Sequence, residues 1–591
     1  MSGQLEDLPV ETSQSEPLFT TVNMLDPQLC VKSSINYAVS KSAQNITYHS
    51  QMASSATSSG LNFSVIVPSL STVISRKVML RSQLVFTLTG NCADGTRLIN
   101  WGVDTSLAPF AIHQCIQNMN VLINSSSFTF DCRNNLDLVL RTMDKEVLEE
   151  YANTTPIFFD NYASYTDAVG AANSPFSASF DSSAGYRGRG SYPVTIANNG
   201  VNTTGVAIAN KQVTITVNLC EPLVMSPFLM STQSGANSQG FFGIQSLDCT
   251  INFITQSLAR AIRSSVAGLA VTFQPTQGST YLDFVYMTPH ASQKLPARNV
   301  VPYLQLQNTV VNVPSIAQGT AQTVTSNTYQ LNMIPDSVLI CARKKAGTQT
   351  YNDADAYLPL FDPTNPVGSA GLSINFANTP GILAGNTPQS LWEYSNNAGT
   401  KQDWISFSGL TMKSVNVAGG GTTSAVAVST TGPILNLQFG SAINLVSDWN
   451  APSSIGNFSF QANVAVYNNT AGAINAGDYE LICVFVNSGI VVSSLGSTSV
   501  YQGLLTKQDV LDATTKPTVN QGEYKRMYGA GWWNGLKSAV STAVAAAPVL
   551  AKAAPHLMSA YKAATGSGRA AGMQAHGRSG SGSDKLKDRF Y

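Results

Sequence analysis

Short runs of alternating or β-branched residues recur along most of this chain, and they constrain its fold more than any other feature. Clusters of Gly, Pro and Asn separate nearly all of them, as expected for strands joined by turns. Helices of about a dozen residues, which parallel crossovers would require, do not alternate with them. The pattern therefore predicts an all-β chain of antiparallel sandwiches or barrels. The runs are Leu61–Val67, Val78–Leu88, Val121–Phe130, Gln212–Leu219, Ser246–Ile254, Leu282–Met287, Val338–Arg343, Leu372–Phe376, Ile434–Phe439, Phe458–Tyr467 and Tyr479–Val486.

Two segments show helical spacing instead. Apolar residues recur at helical intervals from Leu136 to Tyr151, and Asn134 and Asn135 precede them as predicted caps. A shorter helix is predicted over Leu505–Leu511, where a threonine and an aspartate three residues later approximate a capping box. We expect the first helix to cover the end of a sheet and the second to close the last sandwich.

The chain is 591 residues long, which exceeds what one hydrophobic core normally supports and predicts two domains with terminal extensions. Clear alternation is lost in the arginine- and glycine-containing stretch after Ala259, which we interpret as the junction. The predicted division is an N-terminal arm at 1–30, a first β-domain at 31–262, a junction at 263–280, a second β-domain at 281–513 and a tail at 514–591.

Charge is distributed unevenly although the chain as a whole is neutral. Only 11% of the residues are charged, and the formal net charge is +0. The segment after Ala513 carries 11 Lys or Arg against 3 acidic residues, a net charge of +8, which leaves −8 on the rest. Such asymmetry indicates separate partners for the body and the tail, or a basic tail that is merely solvated.

No motif in the sequence anchors an enzyme. The 8 cysteines form no CxxC pair, the 5 histidines lie outside any HExxH motif, and no phosphate-binding loop occurs. His113 and Cys115 would share one face of a strand, but a third orienting group is not evident, so we expect ordinary packing. Asp353, Asp355 and Asp362 would suit a divalent cation between subunits, although solvated loop charge is the favoured interpretation. We predict no catalytic residue, no metal site and no cofactor.

Several short motifs stand at the ends of the predicted strands, and together they resemble a known family. In order they are Glu221-Pro222-Leu223, Ser226-Pro227-Phe228, Gly243-Ile244, Ile334-Pro335-Asp336, Ile455-Gly456-Asn457-Phe458, Asn487-Ser488-Gly489 and the terminal element Tyr501–Leu511. The order and spacing resemble the double-jelly-roll major capsid proteins of the virophage, Polinton and Polinton-like virus group. The resemblance covers nearly the whole chain.

The resemblance implies two consecutive eight-stranded antiparallel jelly rolls, with a few short helices and the tail outside them. It also implies a homotrimer whose six jelly rolls approximate a hexagon and tile an icosahedral shell around a DNA genome. The long irregular segments 152–210 and 348–371 would form an outer crown or subunit contacts. Expected partners are neighbouring capsomers, penton proteins and minor capsid proteins, in a virion that is assembled inside the host cell.

The tail contains three predicted sites. Met527-Tyr528-Gly529-Ala530-Gly531 resembles the target of adenovirus-type cysteine proteases, with cleavage after Ala530; a Gly-rich hinge is the alternative. An amphipathic segment follows, for which docking beneath the shell, contact with an internal membrane, and disorder remain open. Its residues are Trp532, Trp533, Leu536, Val540 and Val544. The basic end would contact packaged DNA through Lys585, Lys587 and Arg589.

The predicted function is therefore that of a major capsid protein. The alternative is a non-viral β-sandwich adhesin or glycan-binding structural protein, because such a protein would also be all-β and free of catalytic motifs. A capsid protein should sediment as a trimer or form particles, whereas an adhesin should stay small and bind a glycan surface.

Overall fold

Antiparallel strands dominate the structure, a computed structural model that describes most of the chain between residues 45 and 505. The described residues are 45–165, 176, 180–181, 186–229, 240–255, 259–290, 295–365, 367–416, 423–445, 450–503 and 505, together with two short strands at 19–20 and 39–40. Every ladder between two of the named strands is antiparallel, which confirms the all-β prediction.

The first half of the chain forms one sandwich of two facing sheets. Its strands are β1 Phe19–Thr20, β2 Val39–Ser40, β3 Asn45–Met52, β4 Ser55–Thr57, β5 Gly60–Ile66, β6 Val73–Ile74, β7 Met79–Cys92, β8 Thr105–Leu107, β9 Ile116–Ile123, β10 Ser126–Phe130, β11 Phe180–Asp181, β12 Tyr186–Arg187, β13 Thr195–Ala197, β14 Ile208–Pro222, β15 Ser246–Phe253, β16 Ile262–Ser264, β17 Ala270–Pro275 and β18 Tyr281–Thr288. One sheet has the order β13-β14-β7-β18-β3, with β17 on β7 and β6 on β18, and the facing sheet has the order β10-β9-β15-β5-β4. Three strand pairs, β1–β2, β8–β16 and β11–β12, form separate two-stranded sheets.

Period-two alternation explains how these two sheets enclose a core. Along β7, the side chains of Leu80, Ser82, Leu84, Phe86 and Leu88 are buried, while the residues that alternate with them are partly or fully exposed. Strand β15 of the facing sheet alternates in the same way. Each buried apolar side chain of this size stabilises the folded state by about 1.5–3 kcal/mol, so the repeated alternation fixes which face of each strand turns inward.

The second half of the chain repeats this arrangement. Its strands are β19 Asn299–Asn312, β20 Ala321–Thr325, β21 Tyr329–Met333, β22 Ser337–Lys344, β23 Tyr357–Leu358, β24 Ser373–Phe376, β25 Thr379–Ile382, β26 Leu410–Asn416, β27 Thr423–Ser429, β28 Leu435–Gln438, β29 Ile455–Tyr467, β30 Tyr479–Ser494 and β31 Ser497–Gln502. One sheet has the order β19-β30-β22-β23, with β28 on β22 and β31 on β30. The facing sheet has the order β20-β29-β24-β25, with β21 on β29, and β26 and β27 form a separate two-stranded sheet.

The helices are short and lie between strands. The α-helices are α1 Cys132–Thr142, α2 Lys145–Glu149, α3 Pro388–Asn397 and α4 Trp404–Ser408, and 3-10 turns occur at His113–Cys115, Arg189–Ser191, Gln277–Ser279 and Ala346–Thr348. Helix α1 is capped by Asp131, whose side chain accepts a hydrogen bond from the Asn134 backbone N–H at 3.1 Å. The prediction of Asn134 and Asn135 as caps was therefore wrong by one turn, and the predicted helix is broken at Met143 and Asp144.

Two further predictions about strands were wrong. The run Val121–Phe130 is a hairpin of β9 and β10, because the chain turns at Asn124, which adopts a positive φ of 53°. The predicted junction at 263–280 contains β17, which pairs with β7 of the first sandwich. Strand β18, assigned to the second β-domain, pairs with β3 and β7. The alternation of apolar and polar residues is hard to recognise in this stretch of the sequence, because it contains arginines and half-buried positions.

Strands β22 and β30 separate the two sandwiches. Successive side chains on each strand enter different hydrophobic clusters, because period two sends neighbours to opposite faces. Val338, Ile340, Leu481, Cys483 and Phe485 pack in the core of the second sandwich. Leu339, Cys341, Ile482, Val484 and Val486 pack in the cluster that fills the first sandwich. This sheet is therefore a wall shared by both cores.

Candidate functional site at the junction of the two sandwiches

A cluster of buried charges lies beside the shared wall, and Asp355 is at its centre. One carboxylate oxygen accepts a hydrogen bond from Arg260 and the other from Arg263, each at 2.8 Å. Both arginine side chains are nearly inaccessible to solvent. Burial alone would raise the pKa of Asp355, but the two guanidinium groups hold it well below its ordinary range. Asp355 is therefore a carboxylate that joins the β22–β23 loop to the segment at β16.

A second buried carboxylate extends the cluster into the first long irregular segment. Asp160 accepts hydrogen bonds from Arg189 Nη2 and from the Tyr165 hydroxyl, both at 2.5 Å. Its other oxygen accepts the backbone N–H of Asp355 at 3.0 Å. Burial acts to raise the pKa of Asp160, but Arg189 and Arg263 lower it below the usual value. The segments 152–210 and 348–371, expected to form an outer crown or subunit contacts, thus supply interior contacts between the two halves.

Helix α1 supplies the third carboxylate. Arg141 donates from Nε to both oxygens of Asp137 at 2.9 Å, and its Nη2 donates to the Asp355 carbonyl at 3.0 Å. The hydroxyl of Tyr357, in β23, also donates to Asp137 at 2.5 Å. Burial raises the pKa of Asp137 to about 6, although Arg141 opposes the shift. Helix α1 of the first sandwich is in this way tied to β23 of the second.

Arg343 completes the cluster from the shared wall itself. It donates to Glu480 on the neighbouring strand at 3.0 and 3.1 Å, and to the backbone carbonyl of Asn134 at 3.2 Å. A further bond joins it to the Asn134 side chain. Because the first turn of α1 is held by β22 through these bonds, the charge cluster crosses the junction at a second point.

The cluster favours one arrangement of the two sandwiches over others. Buried ion pairs contribute little net stability when they replace well-packed apolar groups, because desolvation offsets the attraction between the charges. An incorrect arrangement would nevertheless leave several of these charges buried without partners, at a cost of several kcal/mol each. We therefore interpret the cluster as a device that fixes the relative position of the halves.

The predicted pair His113 and Cys115 lies close to this cluster, and the structure supplies the third group that was not evident in the sequence. His113 Nδ1 lies 2.6 Å from Glu221 Oε2, and its Nε2 accepts the Val224 backbone N–H at 3.3 Å. Nδ1 therefore carries the proton. Glu221 also accepts the backbone N–H groups of Ile112 and His113 and the Thr155 hydroxyl.

Cys115 is not a nucleophile in this arrangement. Its side chain is fully buried, and its thiol donates to the Ala111 carbonyl at 3.5 Å. Burial raises the pKa of Cys115 well above the ordinary value, so the thiolate is disfavoured. The arrangement is that of packed core residues, as the sequence predicted.

The acidic residues considered for a cation have other roles. Asp353 pairs with Lys344 at 2.9 Å, Asp355 is held by arginines, and Asp362 accepts bonds from Thr364 within its own loop. In the part of the chain that the structure describes, no group of three or more His, Cys, Asp or Glu side chains could hold a metal ion. The interpretation of Asp355 as solvated loop charge was also wrong, because its side chain is only 14% exposed and is paired with two buried arginines.

Sequence motifs that carry the family resemblance have identifiable contacts. Glu221 holds the turn around His113. The Ser226 hydroxyl accepts the Leu304 backbone N–H at 2.8 Å and so joins the two halves. A Cβ at Gly489 would overlap the Tyr501 carbonyl of β31. These motifs thus lie where chain segments meet closely.

The predicted tail sites lie outside the described residues. They are the cleavage motif Met527, Gly529, Ala530 and Gly531, the amphipathic residues Trp532, Trp533, Leu536, Val540 and Val544, and the basic residues Lys585, Lys587 and Arg589. The predicted helix Leu505–Leu511 also falls there, apart from Leu505, which bridges to Ser454. Among the described helices, none has the length and apolar character needed to cross a membrane.

Sequence reasoning missed the charge cluster almost entirely. Arg260 and Arg263 were noted only as a break in alternation, and Asp160 and Arg189 were placed in an irregular segment. The shared wall did leave a signal in the sequence, because the stretches around Ile340 and Val484 are continuously apolar. A strand with one solvent-exposed face would alternate between apolar and polar residues instead.

Comparison with known proteins identifies the family. Residues 18–281 match the family model described as the Sputnik virophage major capsid protein first domain, and residues 304–489 match the major capsid protein V20 C-terminal domain. The chain is 27% identical over 545 residues to the putative capsid protein V20 of Sputnik virophage, covering 89% of this chain and 87% of that protein.

Solved structures agree with this result. A chain from the 3.5 Å cryo-EM structure of the Sputnik virophage superposes with a TM-score of 0.72 at 25% identity, covering 88% of this chain and 100% of that chain. The mavirus major capsid protein superposes with a TM-score of 0.63 over 80% of this chain and 93% of its own, and at 15% identity it supports the fold alone. The double jelly roll is thereby confirmed.

The matched proteins are structural components of capsids, which confirms the prediction that the chain is not an enzyme and removes support for an adhesin. Both domain matches occur in the expected order and fall on the two sandwiches described above. The chain belongs to the double-jelly-roll major capsid proteins of the virophage group.

Proposed function

We propose that this capsid protein assembles into a homotrimer whose six jelly rolls approximate a hexagon, and that these trimers tile an icosahedral shell around a DNA genome. The shared wall of β22 and β30 supports the proposal, because it makes the two rolls of one chain a single building unit. Closed threefold association of such units also limits open-ended aggregation.

An unpaired sheet edge is the observation on which the trimer proposal depends most. Strand β3 ends the sheet of the first roll and pairs only with β18 among the described strands. Three large apolar side chains are exposed along this strand, with exposed fractions of 52% for Ile46, 85% for Tyr48 and 49% for Met52. Exposed apolar edges invite pairing with other chains, and a capsid subunit would bury this edge against its neighbour.

A charge placed on this edge tests the proposal. The wild-type protein should sediment as a trimer, whereas Tyr48→Lys should shift it towards monomer, because burying the new ammonium group without a partner is costly. Asn62→Lys is the matched control, since it adds the same charge on an exposed position of β5 in the other sheet. A wild-type protein that stays monomeric at all concentrations and forms no particles in electron micrographs would count against trimeric assembly.

We also propose that the division between the two rolls lies after β18, between Thr288 and Asn299. All pairing of β17 and β18 is with strands of the first roll, and β19 pairs with β30 of the second. Limited proteolysis followed by mass measurement would test the division. Cleavage in this interval, ahead of cleavage at 263–280, is expected.

The tail residues are proposed to act inside the shell. Cleavage after Ala530 would release the amphipathic and basic segments, whereas an uncleaved tail could dock beneath the shell, contact an internal membrane or bind DNA through Lys585, Lys587 and Arg589. The proposed partners remain neighbouring capsomers, penton proteins and minor capsid proteins, in virions assembled inside the host cell. The mass of the capsid protein in purified virions would distinguish a cleaved tail from an intact one.

A further inference from the structure

A small cavity lies between the two jelly rolls, next to the charge cluster. Helix α1 contributes Arg133 and Asp137, the segment before β16 contributes Arg260, and the second roll contributes Arg343 and Asp355. The space measures about 40 Å³. It reaches the surface beside Arg133 and Gln349, which are half-buried. The cavity could therefore exchange a small solute with solvent while both rolls remain folded.

Positive charge predominates around this cavity. The arginines in its lining are Arg133, Arg260 and Arg343, and the carboxylates in its lining are Asp137 and Asp355. Each of these carboxylates already accepts hydrogen bonds from at least one arginine. Three guanidinium groups against two carboxylates leave a formal excess of one positive charge in the lining.

Arg260 carries a second indication that the cavity accepts an anion. It is 2% exposed, and its Nε–H has no hydrogen-bond acceptor among the described residues. A buried donor without an acceptor is costly, and an anion or water in the cavity would remove that cost. The pKa of Arg133 is lowered to about 10 by burial and by the nearby guanidinium groups of Arg260 and Arg343. Repulsion between these arginines is thus a second unfavourable contribution at the cavity, beside the unsatisfied donor of Arg260.

We propose that this cavity binds one small inorganic oxyanion of the phosphate class. Its volume corresponds to about three water molecules, which suits a single small oxyanion. Guanidinium groups suit oxyanions because they donate several hydrogen bonds in one plane. A bound oxyanion would join α1, the β16 segment and β22, so it would stabilise the junction of the rolls independently of trimer formation.

Calorimetric titration of inorganic phosphate into the purified full-length protein, at constant ionic strength in chloride buffer, tests the proposal. Saturable binding of one phosphate per chain is expected, and sulfate should compete with it. Arg133→Gln should weaken binding at least tenfold and Arg133→Lys less, because the lysine keeps the charge but not the planar donors. Arg97→Gln, a change at an exposed arginine outside the cavity lining, should bind as the wild type does.

Thermal unfolding of the wild-type protein provides a readout that needs no variant. Replacing chloride by phosphate at equal ionic strength should raise the melting temperature in proportion to the logarithm of phosphate concentration above the dissociation constant. The proposal is overturned if the wild-type protein shows no saturable phosphate binding, which would mean that the cavity holds water only. It is equally overturned if folded Arg133→Gln binds phosphate with unchanged affinity.

Discussion

Replacement of Asp355 by asparagine is the most informative perturbation of the junction. The change keeps the shape of the side chain but removes the charge that Arg260 and Arg263 share, and both arginines are buried. Removing one partner of a buried ion pair costs about 3–5 kcal/mol, because the remaining charge is left without compensation. We expect Asp355→Asn to lower the free energy of unfolding at pH 7 by an amount in this range.

Urea unfolding followed by tryptophan fluorescence measures this effect, since Trp101 lies in the first roll and Trp392 and Trp404 lie in the second. Asp362→Asn is the control, because it alters an acidic residue of the same irregular segment, 348–371, that bonds only locally to Thr364 among the described contacts. This control should change stability by less than about 0.5 kcal/mol. Equal effects of the two substitutions would refute the assignment of Asp355 as the centre of the cluster.

The same pair gives a pH test with a definite sign. The pKa of Asp355 is lower in the folded protein than in the unfolded chain, so its contribution is fully present above the ordinary aspartate value of about 3.9. It is lost as the pH falls further, through the folded-state value. The difference in stability between wild type and Asp355→Asn should therefore be constant from pH 5 to 7 and narrow below pH 4.

Three further outcomes are expected. Gly432→Ala should destabilise the protein by more than 3 kcal/mol, because Gly432 has a φ of 82° and a Cβ would overlap the Tyr357 carbonyl; Gly205→Ala, at a φ of 80° in open space, should cost only about 1 kcal/mol in the same urea assay. Burial raises the pKa of Asp336 to about 6, so stability should fall by up to about 3 kcal/mol as the pH rises from 4 to 6, and Asp336→Asn should flatten that dependence in urea titrations. Mass spectrometry of virions should detect a capsid protein that ends at Ala530, and an intact Tyr591 would contradict the cleavage site.

Much of the strand pattern was predictable from sequence because each strand carries its own alternation. The run Gln212–Leu219 falls inside β14, and Phe458–Tyr467 falls inside β29, since burial on one face leaves a local signal. Ends of strands were less predictable, because pairing partners rather than local composition decide where a ladder stops. The hairpin at Asn124 shows the same limit, since a single residue with positive φ reverses an otherwise uniform run.

The charge cluster was not predictable because its members are distant in sequence. Arg260 and Asp355 are 95 residues apart, and Tyr357 and Asp137 are 220 residues apart. Nothing near Asp355 in the sequence distinguishes a buried carboxylate from a solvated one. The apolar stretch around Val484 could have predicted that β30 is covered on both faces, but not by which neighbour.

The wall formed by β22 and β30 has a mechanical consequence. Any motion that separated the two rolls would expose Ile482 and Val484 to water and break the hydrogen bonds that cross to helix α1. The two rolls of one chain should therefore move as a single rigid body. A closed shell nevertheless requires angles between neighbouring subunits. If each subunit is rigid, this curvature has to arise at the interfaces between chains. Mutations that alter the size of the shell should therefore map to those interfaces.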